Sequence, residues 1–251
     1  MNNNSFAGRV ILAVFIVAVF LVAAFPMPRL VAMILPGLAG YLRWSVVSLL
    51  EVSVCVLGVM AIARTGMAGA LRELRLLRPV HVAALFALIA TLPMPITFAM
   101  SGPVSDSIDP MRLLFFSGFA PLLEEIVFRG FAFWMLYRWA RLPFWPAALL
   151  PAVAFGLAHL YQASAPMEAL GIFAITAIGS VWFSWLLMRW DNLWVPAFMH
   201  MAMNAWWAVF AVDTTALGGW LPTIARGVVI LLSIVMTVYR PPLLTPARSA
   251  G

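Results

Sequence analysis

Long apolar segments constrain this chain more than any other feature of its sequence. Arg, Pro, Gly or acidic residues bound eight such segments, at 9–25, 44–63, 80–100, 112–137, 143–161, 169–188, 193–210 and 221–239. A helix needs roughly 20 mostly apolar residues to cross a bilayer, and it satisfies its backbone hydrogen bonds within one segment. The sequence therefore predicts an all-α fold, a polytopic transmembrane helix bundle with about eight spans.

Composition excludes a water-soluble protein. Charged residues make up 10% of the 251 residues and hydrophobic residues 65%, whereas a soluble domain has roughly 25% charged residues. The net charge of +6 comes from arginine, since the chain contains no lysine. In this apolar background, arginines favour contacts with the lipid bilayer and its anionic headgroups over a nucleic-acid partner. The single cysteine, Cys55, lies within an apolar run and is interpreted as an inert buried thiol.

The arginines also predict the orientation of the spans. If the N-terminus is cytoplasmic, the internal loops receive Arg9, Arg64, Arg72, Arg75, Arg78, Arg138, Arg141, Arg189, Arg240 and Arg248. The external side then keeps Arg29, Arg43 and Arg112. This asymmetry follows the positive-inside rule and places both termini in the cytoplasm. The first segment is interpreted as a retained helix, and the arginine- and alanine-rich usage indicates a bacterial cytoplasmic membrane.

Three segments lie outside the predicted spans. Residues 30–42 are apolar but contain Pro36 and Gly37, which predicts an interfacial or re-entrant segment. Residues 64–78 place Leu71, Leu74 and Leu77 on one helical stripe, which fits either a helix on the inner leaflet or a basic loop. The tail 241–251 is rich in proline and is predicted to be disordered.

Three charged side chains, Glu124, Glu125 and Arg129, lie near the middle of the fourth span. Each costs roughly 2.5 to 3.5 kcal/mol at the centre of a membrane helix, so packing or function must offset the cost. Glu125 and Arg129 are four residues apart with the acid first, which predicts an ion pair. Glu124 points about 100° away around the helix. It can therefore face a cavity and act as a general base.

Two further spans carry polar pairs with the same spacing. Phe155 and His159 are four residues apart in the fifth span, where Gly156 permits a neighbouring helix to approach closely. His200 and Asn204 are four residues apart in the seventh span. A lone intramembrane histidine usually bonds another helix, but histidines beside an unpaired glutamate indicate an active site. Amide hydrolysis requires such a base, together with donors aimed at the developing oxyanion.

Two other charges within the spans are interpreted as structural. Glu51, in the second span, is expected to bond a neighbouring helix. Arg226 lies near the outer end of the eighth span, from where its long side chain can reach the interface.

The three motifs resemble those of a known family. Glu-Glu-x-x-x-Arg at 124–129, Phe-x-x-x-His at 155–159 and His-x-x-x-Asn at 200–204 occur in this order on three separate spans. Together they are similar to the CAAX-protease and bacteriocin-processing family, called CPBP or Abi. The resemblance covers roughly residues 112–210, and the wording Glu-Glu-Ile-Val-Phe-Arg-Gly matches the first motif of the family in full.

The resemblance implies a role for each motif residue. Glu124 and His159 would activate a water for peptide-bond hydrolysis, and His200 and Asn204 would stabilise the oxyanion. The supporting residues would be Glu125, Arg129 and Phe155. It also implies a catalytic core at 112–210, preceded by N-terminal helices and a basic cytoplasmic loop at 1–111 and followed by the last helix and a short tail at 211–251. The expected substrate is a membrane-embedded or membrane-tethered protein or peptide.

Two questions stay open at this point. Members of such families are commonly described as metalloproteases, and Glu124, His159 and His200 could form a two-histidine, one-carboxylate zinc site. Because the chain lacks His-Glu-x-x-His, a mechanism without a cofactor is favoured. The alternative functions are a catalytically silent scaffold or bacteriocin-immunity protein of the same fold and, less favoured for want of inverted repeats, a proton-coupled carrier.

Overall fold

The computed structural model describes residues 5–101, 103–106, 108–213 and 215–239, and within these ranges all regular secondary structure is helical. The predicted all-α bundle is therefore confirmed. The α-helices are α1 (Phe6–Ala24), α2 (Met27–Ile34), α3 (Gly40–Ala63), α4 (Met67–Glu73), α5 (Val80–Thr91), α6 (Pro93–Ser101), α7 (Pro110–Leu114), α8 (Ala120–Glu125), α9 (Trp134–Arg138), α10 (Phe144–Ala158), α11 (Pro166–Trp190), α12 (Trp194–Val209) and α13 (Trp220–Tyr239). A short 3₁₀ helix, Leu160–Gln162, follows α10.

Among the described residues, six helical segments are long and apolar enough to cross a membrane. They are Phe6–Ala24, Gly40–Ala63, Val80–Met100, Phe144–Gln162, Pro166–Trp190 and Trp220–Tyr239. They coincide with six of the eight predicted spans, and the chain is an integral membrane protein. The seventh predicted span corresponds to α12, which has 16 residues and is about 24 Å long. The count of eight stays a prediction.

The fourth predicted span, 112–137, is helical but not a uniform α-helix. Two π-helical segments, Phe115–Phe119 and Ile126–Phe133, interrupt it on either side of α8. We call the whole stretch 110–138 the composite helix. In a π segment each N–H bonds the carbonyl five residues earlier, and such segments occur frequently at functional sites. Glu124 and Glu125 lie at the end of α8, directly before the second π segment.

The two segments predicted to lie along the membrane are partly helical. Residues 30–42 contribute to α2, which has 8 residues and is too short to cross a bilayer. In 64–78 only Met67–Glu73 is helical. The predicted leucine stripe is wrong at its end: Leu74 is fully buried whereas Leu77, beyond the helix, is 56% exposed.

Two arginines of this basic segment form ion pairs with a single aspartate. Arg75 Nε lies 2.7 Å from Asp191 Oδ1, and Arg78 forms an ion pair with the same carboxylate. Asp191 directly follows α11, where it adopts a left-handed backbone conformation. The segment is therefore clamped to the end of α11, because one carboxylate accepts from both guanidinium groups.

Loops predicted to share one side of the membrane meet at the same end of the bundle. Trp194 Nε1 donates to the Leu76 carbonyl at 2.8 Å, and Trp139 Nε1 donates to Glu73 at 3.2 Å. At the opposite end, the Ser105 N–H donates to the Val209 carbonyl at 2.9 Å. The composite helix and α12 each run from one end to the other. The predicted positions of Arg240, Arg248, both termini and the tail 241–251 lie outside the described residues.

Packing between α10 and α11 depends on Gly156, as expected from the sequence. A Cβ atom at this position would lie 2.7 Å from Cδ2 of Phe173 and 3.2 Å from its backbone oxygen. Contacts that short are repulsive, so only glycine lets α11 approach this part of α10. This close approach lies one turn before His159 and holds the end of α10 against the bundle.

The orientation can be tested with a matched pair of cysteine variants. Gly66 and Asp106 are both exposed, at opposite ends of the bundle, and the only native cysteine, Cys55, is fully buried. We expect Asp106→Cys to react with an impermeant thiol reagent in intact cells, and Gly66→Cys to react only after the membrane is opened. The protein without an introduced cysteine is the negative control for labelling. Labelling of Gly66→Cys alone in intact cells would reverse the predicted orientation.

Candidate active site

The centre of the candidate site is a buried ion pair within the composite helix. Nη1 of Arg129 lies 3.1 Å from Oε1 of Glu125, and both side chains are completely buried. The spacing-based prediction of this pair is confirmed. None of the three guanidinium nitrogens makes an aligned hydrogen bond within the described residues, so the contact is electrostatic. The Arg129 guanidinium also lies 4.3 Å from the ring centre of Phe155 and 5.4 Å from that of Phe183, which stabilise the cation through their π faces.

Glu125 has a second partner that the sequence did not predict. Nδ1 of His200, on α12, lies 2.8 Å from the same Oε1 atom. A carboxylate oxygen only accepts hydrogen bonds, so Nδ1 carries the hydrogen. His200 is thereby oriented with its other nitrogen, Nε2, free for a different partner. The ring of Phe183 lies 5.6 Å from the His200 ring and restricts its movement.

Glu124 differs from its neighbour in being open to its surroundings. Its side chain is 36% exposed whereas that of Glu125 is completely buried, as expected for adjacent residues on a helix. Oε2 of Glu124 lies 3.9 Å from Nε2 of His200, which is too long for a hydrogen bond but brings the two groups close together. Glu51, half-buried in α3, lies within electrostatic range of Glu124. No spacing rule predicts this proximity, because the two residues lie on different helices.

His159 occupies the C-terminal end of α10. Its Nδ1 lies 2.8 Å from the backbone carbonyl of Phe155, so Nδ1 is the donor and Nε2 of the neutral ring holds a lone pair. The ring centres of His159 and Phe155 are 4.4 Å apart, which confirms that the two residues share a face. Within the described ranges, no hydrogen bond or ion pair joins His159 directly to Glu124. Cooperation between them would require a water or a substrate atom.

Phe155 connects the parts of the site. Its ring lies against the guanidinium of Arg129 and the ring of His159, and its centre is 6.2 Å from that of His200. Only 5% of Phe155 is exposed. One buried ring thus separates the Glu125–Arg129 pair from His159 and fixes the distance between the two histidines.

Asn204 lies one turn beyond His200 on α12. Its Nδ2 donates to the backbone carbonyl of Phe116 at 3.1 Å, within the first π segment of the composite helix. A carbonyl oxygen only accepts hydrogen bonds, so the NH₂ group of the Asn204 amide, and not its oxygen, faces Phe116. One N–H of the amide is committed to Phe116, and the second N–H is left for another acceptor.

The zinc alternative gains no support from the arrangement of ligands. In the part of the chain that the structure describes, no three His, Cys, Asp or Glu side chains are grouped closely enough to hold a metal ion. Nδ1 of His159 bonds a backbone carbonyl and Nδ1 of His200 bonds Glu125, so Nε2 is the nitrogen of each ring that a metal would contact. Glu124, His159 and His200 are not grouped as zinc ligands in this structure.

The loop between α12 and α13 packs beside His159, which the sequence did not predict. Arg226, expected to reach the interface, instead donates to the carbonyls of Ala216 and Leu217, the latter at 2.6 Å. The Ala216 N–H in turn donates to Oε1 of Gln162 at 3.0 Å, three residues after His159. Arg226 therefore binds the loop, and the loop in turn binds Gln162 in the segment that carries His159.

Comparison with known proteins agrees with these motifs. Residues 107–206 match a family model described as "Type II CAAX prenyl endopeptidase Rce1-like". A protein of Bacillus subtilis (strain 168), named "Putative membrane peptidase YdiL", is 33% identical over 104 residues. That match covers 41% of this chain and 38% of the relative, so the aligned part spans well under half of each protein. No solved structure matches the chain significantly.

The matched region contains every candidate site residue, from Glu124 in the composite helix to Asn204 in α12. The three motifs, the family model and the bacterial relative agree on this segment. Residues 107–206 of this chain are similar to CAAX-type membrane proteases.

Proposed function

We propose that this chain is an intramembrane endopeptidase that hydrolyses a peptide bond by a glutamate-based mechanism without a metal. The observation that carries the proposal is the difference between two adjacent glutamates: Glu124 is 36% exposed, whereas Glu125 is completely buried against Arg129 and His200. A purely structural pair of glutamates would not require one of them to stay open. The match of residues 107–206 to the family model supports the same activity.

In the proposed reaction, Glu124 is the general base. It removes a proton from a water whose oxygen forms a bond to the carbonyl carbon of the substrate, and the proton is later passed to the leaving amine as the C–N bond breaks. Nε2 of His159 can accept a hydrogen bond from the same water, because Nδ1 is held by the Phe155 carbonyl. His159 would then orient the water and Glu124 would hold the proton between the two steps.

The oxyanion of the tetrahedral intermediate needs donors, and α12 offers two. His200 can donate from Nε2 in the form that carries hydrogen on both ring nitrogens, since Nδ1 already donates to Glu125. Asn204 can donate the amide N–H that is not bonded to Phe116. Donors fixed before the reaction contribute most to catalysis, because they do not have to reorganise as charge develops. Glu125, Arg129 and Phe155 would act by holding His200 and His159 in position.

We further propose that the catalytic core is contained in 112–210, and that the substrate is a membrane-embedded or membrane-tethered protein or peptide. The site residues lie on helices of a membrane bundle, which favours a substrate that approaches from the bilayer. We place the protein in a bacterial cytoplasmic membrane with both termini in the cytoplasm.

The proposal can be tested by comparing membrane proteomes. Cells that produce the wild-type protein should contain a shortened membrane protein, or a released terminal peptide, that is missing both from cells without the gene and from cells producing Glu124→Gln. The three proteins must be present at matched levels, and the cleavage should then be reproduced with purified components in buffer containing a metal chelator. Identical proteomes in all three strains would favour the catalytically silent scaffold instead.

A further inference from the structure

We propose that Pro121 is a positioning residue for Asn204. By lacking a backbone N–H, it leaves the Phe116 carbonyl free to hold the Asn204 side chain. The consequence for catalysis rests on the proposed function, in which Asn204 donates to the oxyanion. The hydrogen-bonding part of the inference is independent of that function and can be measured separately.

The first π segment determines which backbone N–H could donate to the Phe116 carbonyl. In an α-helix the donor would be the N–H four residues later, that of Ala120. This N–H instead donates to the carbonyl of Phe115, five residues earlier, in the π pattern. The next donor in that pattern is residue 121, which is proline and has no N–H. Neither the α-helical donor at 120 nor the π-helical donor at 121 therefore serves the Phe116 carbonyl.

A carbonyl without a partner is costly inside a membrane, since no bulk water is present to replace the missing donor. Asn204 supplies it, with Nδ2 at 3.1 Å from the Phe116 oxygen. Helix α12 packs directly against this π segment, so the side chain reaches the carbonyl without leaving its helix. The contact fixes the plane of the amide and thereby the direction of its second N–H.

A purely local explanation of Pro121 also exists. Proline is tolerated in the first turn of a helix, and Pro121 lies in the first turn of α8, where it is buried. On that explanation, replacing the proline would have no effect on Asn204. The two explanations differ in whether the missing N–H at position 121 matters for Asn204. An experiment can vary this N–H alone.

Three forms of position 121 separate the two explanations. The first is the native proline and the second is Pro121→Ala, which adds an N–H. The third carries lactic acid at this position, introduced by nonsense suppression, which has the side chain of alanine but an ester oxygen in place of the N–H. Each form is combined with Asn204→Ala, and the melting temperature of the six purified proteins is measured.

We expect Asn204→Ala to lower the melting temperature by about 2 to 4 °C with proline or lactic acid at 121, because the Phe116 carbonyl loses its partner. With alanine at 121 the new N–H takes over this carbonyl, and the same substitution should shift the melting temperature by less than about 1 °C. Equal shifts in all three backgrounds would overturn the inference.

Activity provides the second readout. Pro121→Ala should lower kcat about tenfold or more with little change in KM, since a displaced oxyanion donor acts mainly in the transition state. The lactic acid form should recover most of that loss. Full activity of Pro121→Ala would overturn the catalytic part of the inference. If wild-type protein cleaves nothing while the melting temperatures behave as expected, the link between Pro121 and Asn204 stands and the proposed function fails.

Discussion

Glu124→Gln is expected to leave a folded protein that cleaves its substrate roughly 10² to 10⁴ times more slowly than wild type. Glutamine keeps the size of the side chain and can still accept a hydrogen bond, but it cannot take a proton from water. The Glu124 side chain is 36% exposed and makes no close hydrogen bond to His200, whose Nε2 is 3.9 Å away. Its replacement therefore removes little that holds the bundle together.

The measurement is a single-turnover assay with purified protein, combined with the melting temperature of each variant. Glu51→Gln is the matched control because it makes the same change on the neighbouring helix α3, within electrostatic range of Glu124. We expect its rate to fall less than about tenfold, since a neighbouring charge is altered but no base is removed. Equal losses for the two variants would reject Glu124 as the base.

The parts of the site that the sequence predicted are those set by helical spacing. Glu125 and Arg129, and likewise Phe155 and His159, are four residues apart within one helical segment, so their contacts follow from local geometry. The difference in exposure between Glu124 and Glu125 follows from the same argument. Six of the predicted spans were recovered because hydrophobicity over about 20 residues is a strong signal.

The parts that the sequence did not predict depend on contacts between distant segments or on helical register. Glu125 and His200 are 75 residues apart, and no spacing rule connects them. The two π segments have the same apolar composition as an α-helix, so residue type alone does not reveal them. Pairing of Arg75 and Arg78 with Asp191 was missed because the positive-inside rule predicts the side of the membrane and not the partner of each arginine.

The second large effect concerns stability. Arg129→Ala is expected to lower the free energy of unfolding by about 3 to 5 kcal/mol, because it leaves a buried carboxylate without its cation. Both members of the pair are completely buried, so solvent does not screen the loss. The substitution also removes the guanidinium that packs against Phe155 and Phe183. Lower expression and a lower melting temperature in detergent would report this effect.

The double variant Glu125→Gln with Arg129→Met separates loss of charge balance from loss of packing. It leaves no stranded charge and refills the space with an unbranched apolar side chain, so part of the lost stability should return. The glutamine oxygen can still accept from Nδ1 of His200, but it no longer places a negative charge beside the ring. We therefore expect the double variant to be more stable than Arg129→Ala and still slow.

Comparing these variants with Glu124→Gln tests the division of roles between the two glutamates. Glu124→Gln should be stable and inactive, Arg129→Ala unstable and inactive, and the double variant partly stable with reduced activity. A Glu124→Gln protein that unfolds, beside an Arg129→Ala protein that stays stable but inactive, would reverse the assignment. Glu124 would then be the structural carboxylate, and the chemistry would belong to Glu125, which already contacts the imidazole of His200 at 2.8 Å.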